Sequence, residues 1–298
     1  MKELIQRVIN TLGYNIARIP SNNEVVKHDL SLYLKLYSEE AVINRRFYNI
    51  GAGTFRHEAW TNVDHQNEWY KKNNVDIDLD FLLLNPLPIK DNSAEVVYSS
   101  HTVEHITDLA AQNLFNESHR VLKVGGYLRI ATPNIDLDYR AYKSNDRDYF
   151  YWCKRYATPE EYQRVKACKP FSEWSIQQTF LYHFATSAST LHIDGSPMRI
   201  SDAELDMIFN STTYINALNY CTSRCSLDVQ RKYPGNHINW WNKGKLFKTL
   251  KIAGFDSIYL SGYGQSYCPI LRDTLLFDNT HPKISLYVEA IKGRSYDW

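Results

Sequence analysis

The spacing of apolar positions changes along the chain, and each change marks an element. In "MKELIQRVINTLGYNIARIP", Ile5, Val8, Ile9 and Leu12 fall at helical spacing and predict a helix over 1–19. The breakers of "PSNNE" separate it from a second helical stretch at about 27–43. Short β-rich runs follow: "RFYNIGAG", "TNVDHQ", "VDIDLD", "AEVVYSSH" and "GGYLRIATPN". Among the segments between them, "TDLAAQNLFNESHRVLK" predicts a helix with Leu109, Leu114, Val121 and Leu122 on one face, stopped by "KVGG". Strand, turn, helix and strand in this alternation predict an α/β fold, a parallel sheet with helices on both faces.

From about 136 to 236 the alternation is lost, and Tyr, Trp, Cys and His become frequent. Helices are predicted at "TPEEYQRVKA" and "SDAELDMIFNSTTYINALNYC", each opening on a capping residue with acidic residues in its first turn. The core texture then returns with the amphipathic "NWWNKGKLFKTLKIAGF" and the strands "DSIYLSGY" and "ISLYVEAIK". A core that stops and resumes implies an insertion. In doubly wound folds an insertion after a strand's carboxyl end overhangs the ligand crevice. The expected organisation is therefore N-terminal helices at 1–43, a core at 44–135 and 237–298, and a mainly helical substrate cap at 136–236. A structural or dimerisation subdomain is the alternative for the cap.

Composition narrows the function. The 298 residues carry a formal net charge of +1, so no global field attracts a polyanion, and no basic stripe interleaved with aromatics argues for nucleic acid. Five cysteines without paired metal-ligand spacing point to reduced thiols and a cytoplasmic protein. No apolar run approaches a membrane span, although the first helix could touch a membrane surface.

The chemistry is clearest at "GAGTFR" and Asp64. Gly51 and Gly53 let the chain turn tightly at a strand tip and approach a ligand closely. Asp64, ending the next strand, can accept both hydroxyl hydrogens of a ribose. A dinucleotide site would place a third glycine where Arg56 stands and its carboxylate about 20 residues on, later than Asp64. A cofactor with a ribose and no pyrophosphate fits better.

These residues carry a resemblance. "YNIGAGTFRHEAWTNVDHQ", "PLPIKDNSAEVVYSSHTVEHI" and "HRVLKVGGYLRIATPN" resemble class I S-adenosylmethionine-dependent methyltransferases, and within them a type-11-like subgroup associated with bacterial polysaccharide biosynthesis. The resemblance implies a Rossmann-like, seven-stranded, mostly parallel sheet with its last strand antiparallel. It implies S-adenosylmethionine as cofactor, held by Gly51, Ala52 and Gly53 beneath its methionine and ribose parts. Asp64 would take the ribose hydroxyls and His65 would lie beside the adenine. Asp80 would receive the adenine amino group, with Asp78 competing for that role and Phe81 flanking the ring. Ser100, in "SSHTVEH", would line the methionine end. The family's loop strand often carries an acidic residue where Asn49 stands, and Phe55 replaces the third glycine of its GxGxG pattern.

Transfer to a hydroxyl needs a base near its proton, which favours histidine. His101, just past the fourth strand, leads, with His237 of "YPGNHINWW" second; a structural role for His101 weighs equally. Glu104 and His105 are read as packing and capping residues, and no metal is expected. Trp240 and the "LHIDGSPMRIS" cluster of His192, Asp194 and Arg199 are candidate substrate contacts, with a solvated loop as the alternative for the cluster. From the family association, the expected acceptor is a hydroxyl of a sugar, nucleotide-sugar or glycan intermediate. A small aromatic or amine metabolite, or a non-catalytic cofactor-binding subunit, is the alternative. A homo-oligomer stays open.

Overall fold

The computed structural model describes residues 28–69 and 74–293, so the predicted helix at 1–19 lies outside the described residues. Seven strands form one sheet: β1 (Phe47–Ile50), β2 (Trp60–Asp64), β3 (Ile77–Asp78), β4 (Ala94–Ser100), β5 (Leu122–Pro133), β6 (Ser257–Ser261) and β7 (Ser285–Ile291). Their order is β3-β2-β1-β4-β5-β7-β6. The first five are parallel, and β7 runs antiparallel to both β5 and β6. This is the Rossmann-like α/β architecture expected. The sheet order reverses at β1, whose carboxyl end carries the Gly51 loop, so the loop sits at the switch point.

Apolar layers close both faces. On one, Leu114 and Phe115 of α3 (Asp108–Val121) and Leu246 and Leu250 of α10 (Lys243–Ile252) pack on Ile50, Val97 and Leu128. The predicted face of α3 needs correction, because Leu109 is 73% exposed while Ala110, Ala111, Leu114, Phe115 and Val121 are buried. "KVGG" does not stop the helix in a loop either. Leu122 is already extended, and the four residues lie inside β5. The other face is covered by Tyr33 of α1 (Ser31–Leu36), Val42 of α2 (Glu39–Ile43) and the segment around Ile270 and Phe277.

The segment following β5 has an apolar cluster of its own, running from Ile135 to Trp240 and built on Phe150, Trp174, Phe180 and Leu205. Its helices are α4 (Ile135–Lys143), α5 (Pro159–Arg164), α6 (Ile176–Phe184), α7 (Asp202–Ser211), α8 (Tyr214–Ser223) and α9 (Leu227–Lys232). Thr158 and Glu161 form a full capping box on α5. The single long helix expected over 201–221 is two, because Thr213 caps a new start through the Asn216 amide. All five cysteines are free thiols. Among the described residues no helix is long and apolar enough to cross a membrane.

A buried histidine ties this fold to pH. His57 accepts the Ala59 amide at Nδ1 (3.1 Å) and stacks on His28 at 4.1 Å. Burial, and secondarily His28, pushes its pKa from 6.5 to about 3. Above pH 6.5 the ring is neutral in both folded and unfolded chains. Below it the unfolded chain takes a proton that the fold refuses, so stability is lost as pH falls towards about 3. Melting between pH 7.5 and 4.5 should show this decline, and His57→Asn, which keeps an acceptor for Ala59, should make the slope shallower. An unchanged slope would remove His57 from the account.

Candidate active site

The loop after β1 is built for close approach. Gly51 has φ +68°, and a Cβ there would stand 2.1 Å from Thr102 Oγ1, so no larger residue fits against the turn that follows β4. Gly53 has φ +55° and open space where a side chain would be. Its amide donates to Asp64 Oδ2 (2.7 Å), and the His65 amide donates to Oδ1 (2.8 Å). Burial raises the Asp64 pKa above its ordinary 3.8, against the pull of these two amides.

A cavity of about 400 Å³ opens over this loop, lined by Gly51, Gly53, Asp64, His65, Asp80 and Phe81, with His101 and His105 on its far side. Asp80 caps the turn at Phe81–Leu83 through the Leu82 amide (2.9 Å). Asp78 does not line the cavity; it accepts from the Gln66 amide (2.9 Å) and meets His65 Nδ1 at 3.1 Å. The Gln66 amide holds its carboxyl below the ordinary 3.8. Ala52 is buried behind the loop, and the Ser100 hydroxyl is buried without a hydrogen-bond partner among the described residues. Ser100 does not line this cavity, but a carboxylate held by two amides and a side-chain-free loop around it suit a ribose-bearing cofactor without a pyrophosphate.

A second cavity of about 710 Å³ lies between the core and the segment after β5. Among the described residues His101 alone lines both cavities. It adopts φ +51°, uncommon for a residue with a side chain. Its Nε2 meets Ser285 Oγ at 2.8 Å, and its Nδ1 stands 3.1 Å from Glu104 Oε1. Glu104 is 1% exposed. Burial alone would raise its pKa, but His101, His105 and His237 hold it down to about 2. His237 lines the second cavity, and burial pushes its pKa well below the ordinary 6.5. The structure thus brings Glu104, His105 and His237 into one cluster, where the sequence suggested packing and capping for the first two. The pair sits in a short 3₁₀ turn, Val103–His105.

The four candidate substrate contacts are placed elsewhere. His192 is fully buried, with Nδ1 accepting the Asp194 amide (3.2 Å) and Nε2 against Asn236 Nδ2 (3.2 Å). Burial pushes its pKa to about 4. Asp194 pairs with Lys232 (2.6 Å) and accepts from the Tyr233 hydroxyl, and Arg199 donates to the Ile193 carbonyl (3.2 Å). Trp240 is a core residue donating to Asn219 Oδ1 (3.0 Å). None of the four lines either large cavity. The polar 191–201 turn spends its groups on bracing its neighbours.

The second cavity is lined instead by Trp69, Trp152, Arg155, Lys166, His183 and His281, among others, and by no Asp or Glu among the described residues. Density of aromatic and basic residues in "DYFYWCKRY" was the available signal for part of this set.

A family model described as "Methyltransferase domain" matches residues 55–130, from the loop after β1 through most of β5. No curated protein matches the chain. A solved S-adenosylmethionine-dependent methyltransferase from Mesorhizobium loti is 14% identical, covering 83% of this chain and 90% of its own, with a TM-score of 0.38. A solved one from Thermotoga maritima, described as a possible histamine N-methyltransferase, is 14% identical over 85% of this chain and 86% of its own, with a TM-score of 0.37. One from Archaeoglobus fulgidus is 13% identical over 88% and 91%, also at 0.37. Likenesses this low add nothing to what the sheet order shows. The match places a methyltransferase domain in the core of this chain, a domain whose methyl donor is S-adenosylmethionine.

Proposed function

We propose that the chain O-methylates an anionic sugar derivative, such as a nucleotide sugar or a charged glycan intermediate, held beneath the inserted segment at 136–236. The observation that carries this reading is the second cavity, which meets the cofactor cavity at His101 and combines indole rings with cations. Trp69 and Trp152 offer flat faces for a sugar ring or base, while Arg155, Arg164 and Lys166 suit a phosphate or carboxylate. An amine acceptor would want a carboxylate there, and no described lining residue supplies one. Placement in polysaccharide biosynthesis and in the cytoplasm follows the same reading.

In this reading Asp64 holds the ribose hydroxyls, the Gly51–Gly53 backbone underlies the methionine part, and Asp80 and Phe81 flank the adenine. S-adenosylmethionine held there would supply an electrophilic methyl carbon, with its sulfonium sulfur as the leaving group. His101 takes the acceptor's hydroxyl proton at Nε2, exchanging its contact with Ser285, with the Glu104 carboxylate 3.1 Å from Nδ1. His237 lines the acceptor side, and the protein's larger task is to orient the oxygen and exclude water.

A labelled-methyl screen over nucleotide sugars, sugar phosphates, neutral glycosides and amines tests the proposal. Transfer is expected to the charged sugars. Lys166→Ala should raise KM about tenfold, the loss of roughly one charged contact. His101→Gln should lower kcat on the order of 10²-fold with unchanged S-adenosylhomocysteine affinity. Transfer to amines alone would overturn the acceptor class, and cofactor binding without transfer to any class would favour a non-catalytic subunit.

A further inference from the structure

Glu104, His105 and His237 come from two separate stretches of chain, yet one ligating atom of each lies within 4.8 Å of the others. The rings are oriented by their backs. His105 Nδ1 is 2.9 Å from the Asn236 carbonyl, and His237 Nδ1 is 2.5 Å from the His183 carbonyl. A carbonyl can only accept, so each Nδ1 carries the hydrogen and each Nε2 keeps a lone pair. Outer-shell carbonyls hold metal-ligating histidines in the same way.

Glu104 completes the pattern. Its Oε2 accepts from Thr132 Oγ1 (3.2 Å), while Oε1, in a side chain nine-tenths or more buried, has no hydrogen-bond partner among the described residues. Oε1 lies near His101 Nδ1 at 3.1 Å without hydrogen-bond geometry. One ring nitrogen of each histidine and one Glu104 carboxylate oxygen share one small volume. A buried polar atom without a hydrogen bond is costly, and a cation beside Oε1 would meet that cost.

The surrounding backbone is fixed independently. The amides of Ile238 and Asn239 both donate to the Glu104 carbonyl, at 2.9 and 3.1 Å. Gln230 Nε2 donates to the carbonyls of His105 (2.9 Å) and Asn236 (3.0 Å). These bonds lock the turn after β4 to the stretch before α10, which holds the three side chains in register.

We propose that Glu104, His105 and His237 form a binding site for one divalent transition-metal ion at the seam between the two cavities. The location follows from the walls, since His105 lines the cofactor cavity and His237 the second one. Two imidazoles and one carboxylate leave positions open for a substrate oxygen, and this donor set suits manganese, iron, cobalt or zinc better than magnesium or calcium. The ion would polarise the acceptor hydroxyl while His101 receives its proton. That catalytic use rests on the proposed acceptor, whereas binding of the ion does not.

The test is metal binding by the full chain, stripped with chelator and titrated with MnCl2 while the free-ion electron paramagnetic resonance signal is followed. About one ion per chain should bind, with nitrogen couplings from two imidazoles in the pulsed spectrum. MgCl2 should compete poorly. Glu104→Gln and His237→Ala should each weaken binding at least tenfold. Circular dichroism and S-adenosylhomocysteine titration check that these variants fold, and the couplings in the unaltered protein stand even where a variant does not. Failure to bind MnCl2 or ZnCl2, or binding without imidazole couplings, overturns the site. An ion bound with these couplings upholds it even when the methyl-transfer screen rejects every sugar, so the two readings fail separately.

Discussion

Replacing Asp64 by alanine is expected to weaken S-adenosylhomocysteine binding by about 10²-fold or more while leaving the sheet folded. Hydrogen bonds to a charged group contribute about 1.5–3 kcal/mol each, and a ribose offers two such donors. The carboxylate is already committed before any ligand arrives. The Gly53 and His65 amides hold one oxygen each. The loop and the carboxylate therefore organise one another, and the desolvation that raises the Asp64 pKa is met before binding. Asp64→Asn separates the two contributions, because an amide oxygen still accepts the Gly53 amide but carries no charge. Calorimetry should rank the three proteins wild type, Asn, Ala in falling affinity. Equal affinities in all three would remove Asp64 from the cofactor's contacts.

The same cradle shows how much of this protein can be read from its sequence. The glycine pair and Asp64 lie close along the chain, and a parallel β1–β2 pairing brings Ile50 opposite Val63, so the loop and the carboxylate meet by register. Local patterning carried the strands, the Thr158 capping box and the Ser201 cap for the same reason, since their determinants sit within a few residues. Leu109 misled because helical spacing alone does not say which edge of an apolar stripe faces the sheet. The polar 191–201 turn stayed open between two readings because a cluster of His, Asp and Arg looks the same whether it meets a ligand or Asn236, Lys232 and a backbone carbonyl. His237 was a candidate for a local reason, its glycine turn. Its actual neighbours, Glu104 and His105, lie more than 130 positions away and meet it only when the chain returns from the segment after β5 to the sheet.

Arg129→Met should destabilise the fold by about 3–5 kcal/mol, the usual cost of leaving buried charges without their partner. Nothing in "GGYLRIATPN" singles this residue out, because its partners are remote. On the sheet it stands between Tyr98 of β4 and Glu289 of β7, and it is fully buried. Its guanidinium donates to Asp278 through Nε (3.0 Å), to Glu289 Oε2 (2.9 Å), to Ser261 Oγ (2.9 Å) and to the Gly262 carbonyl (2.8 Å). Methionine fills much of the space but strands two carboxylates; lysine keeps the charge but lacks the planar fork and cannot reach all four. Burial already raises the Glu289 pKa against the pull of Arg129. Urea denaturation should therefore show the large loss in Arg129→Met, a smaller one in Arg129→Lys, and partial recovery when Asp278→Asn and Glu289→Gln are added to Arg129→Met. The effect should reach the active site as well. Asp278 lies on the excursion between β6 and β7 that ends in His281, Ile284 and Ser285; the first two line the second cavity, and Ser285 holds His101. A folded Arg129→Lys protein should thus lose turnover while still binding S-adenosylhomocysteine through the distant Asp64 loop. A loss below about 1 kcal/mol in Arg129→Met, the range of an exposed ion pair, would show that the network does not carry this part of the fold.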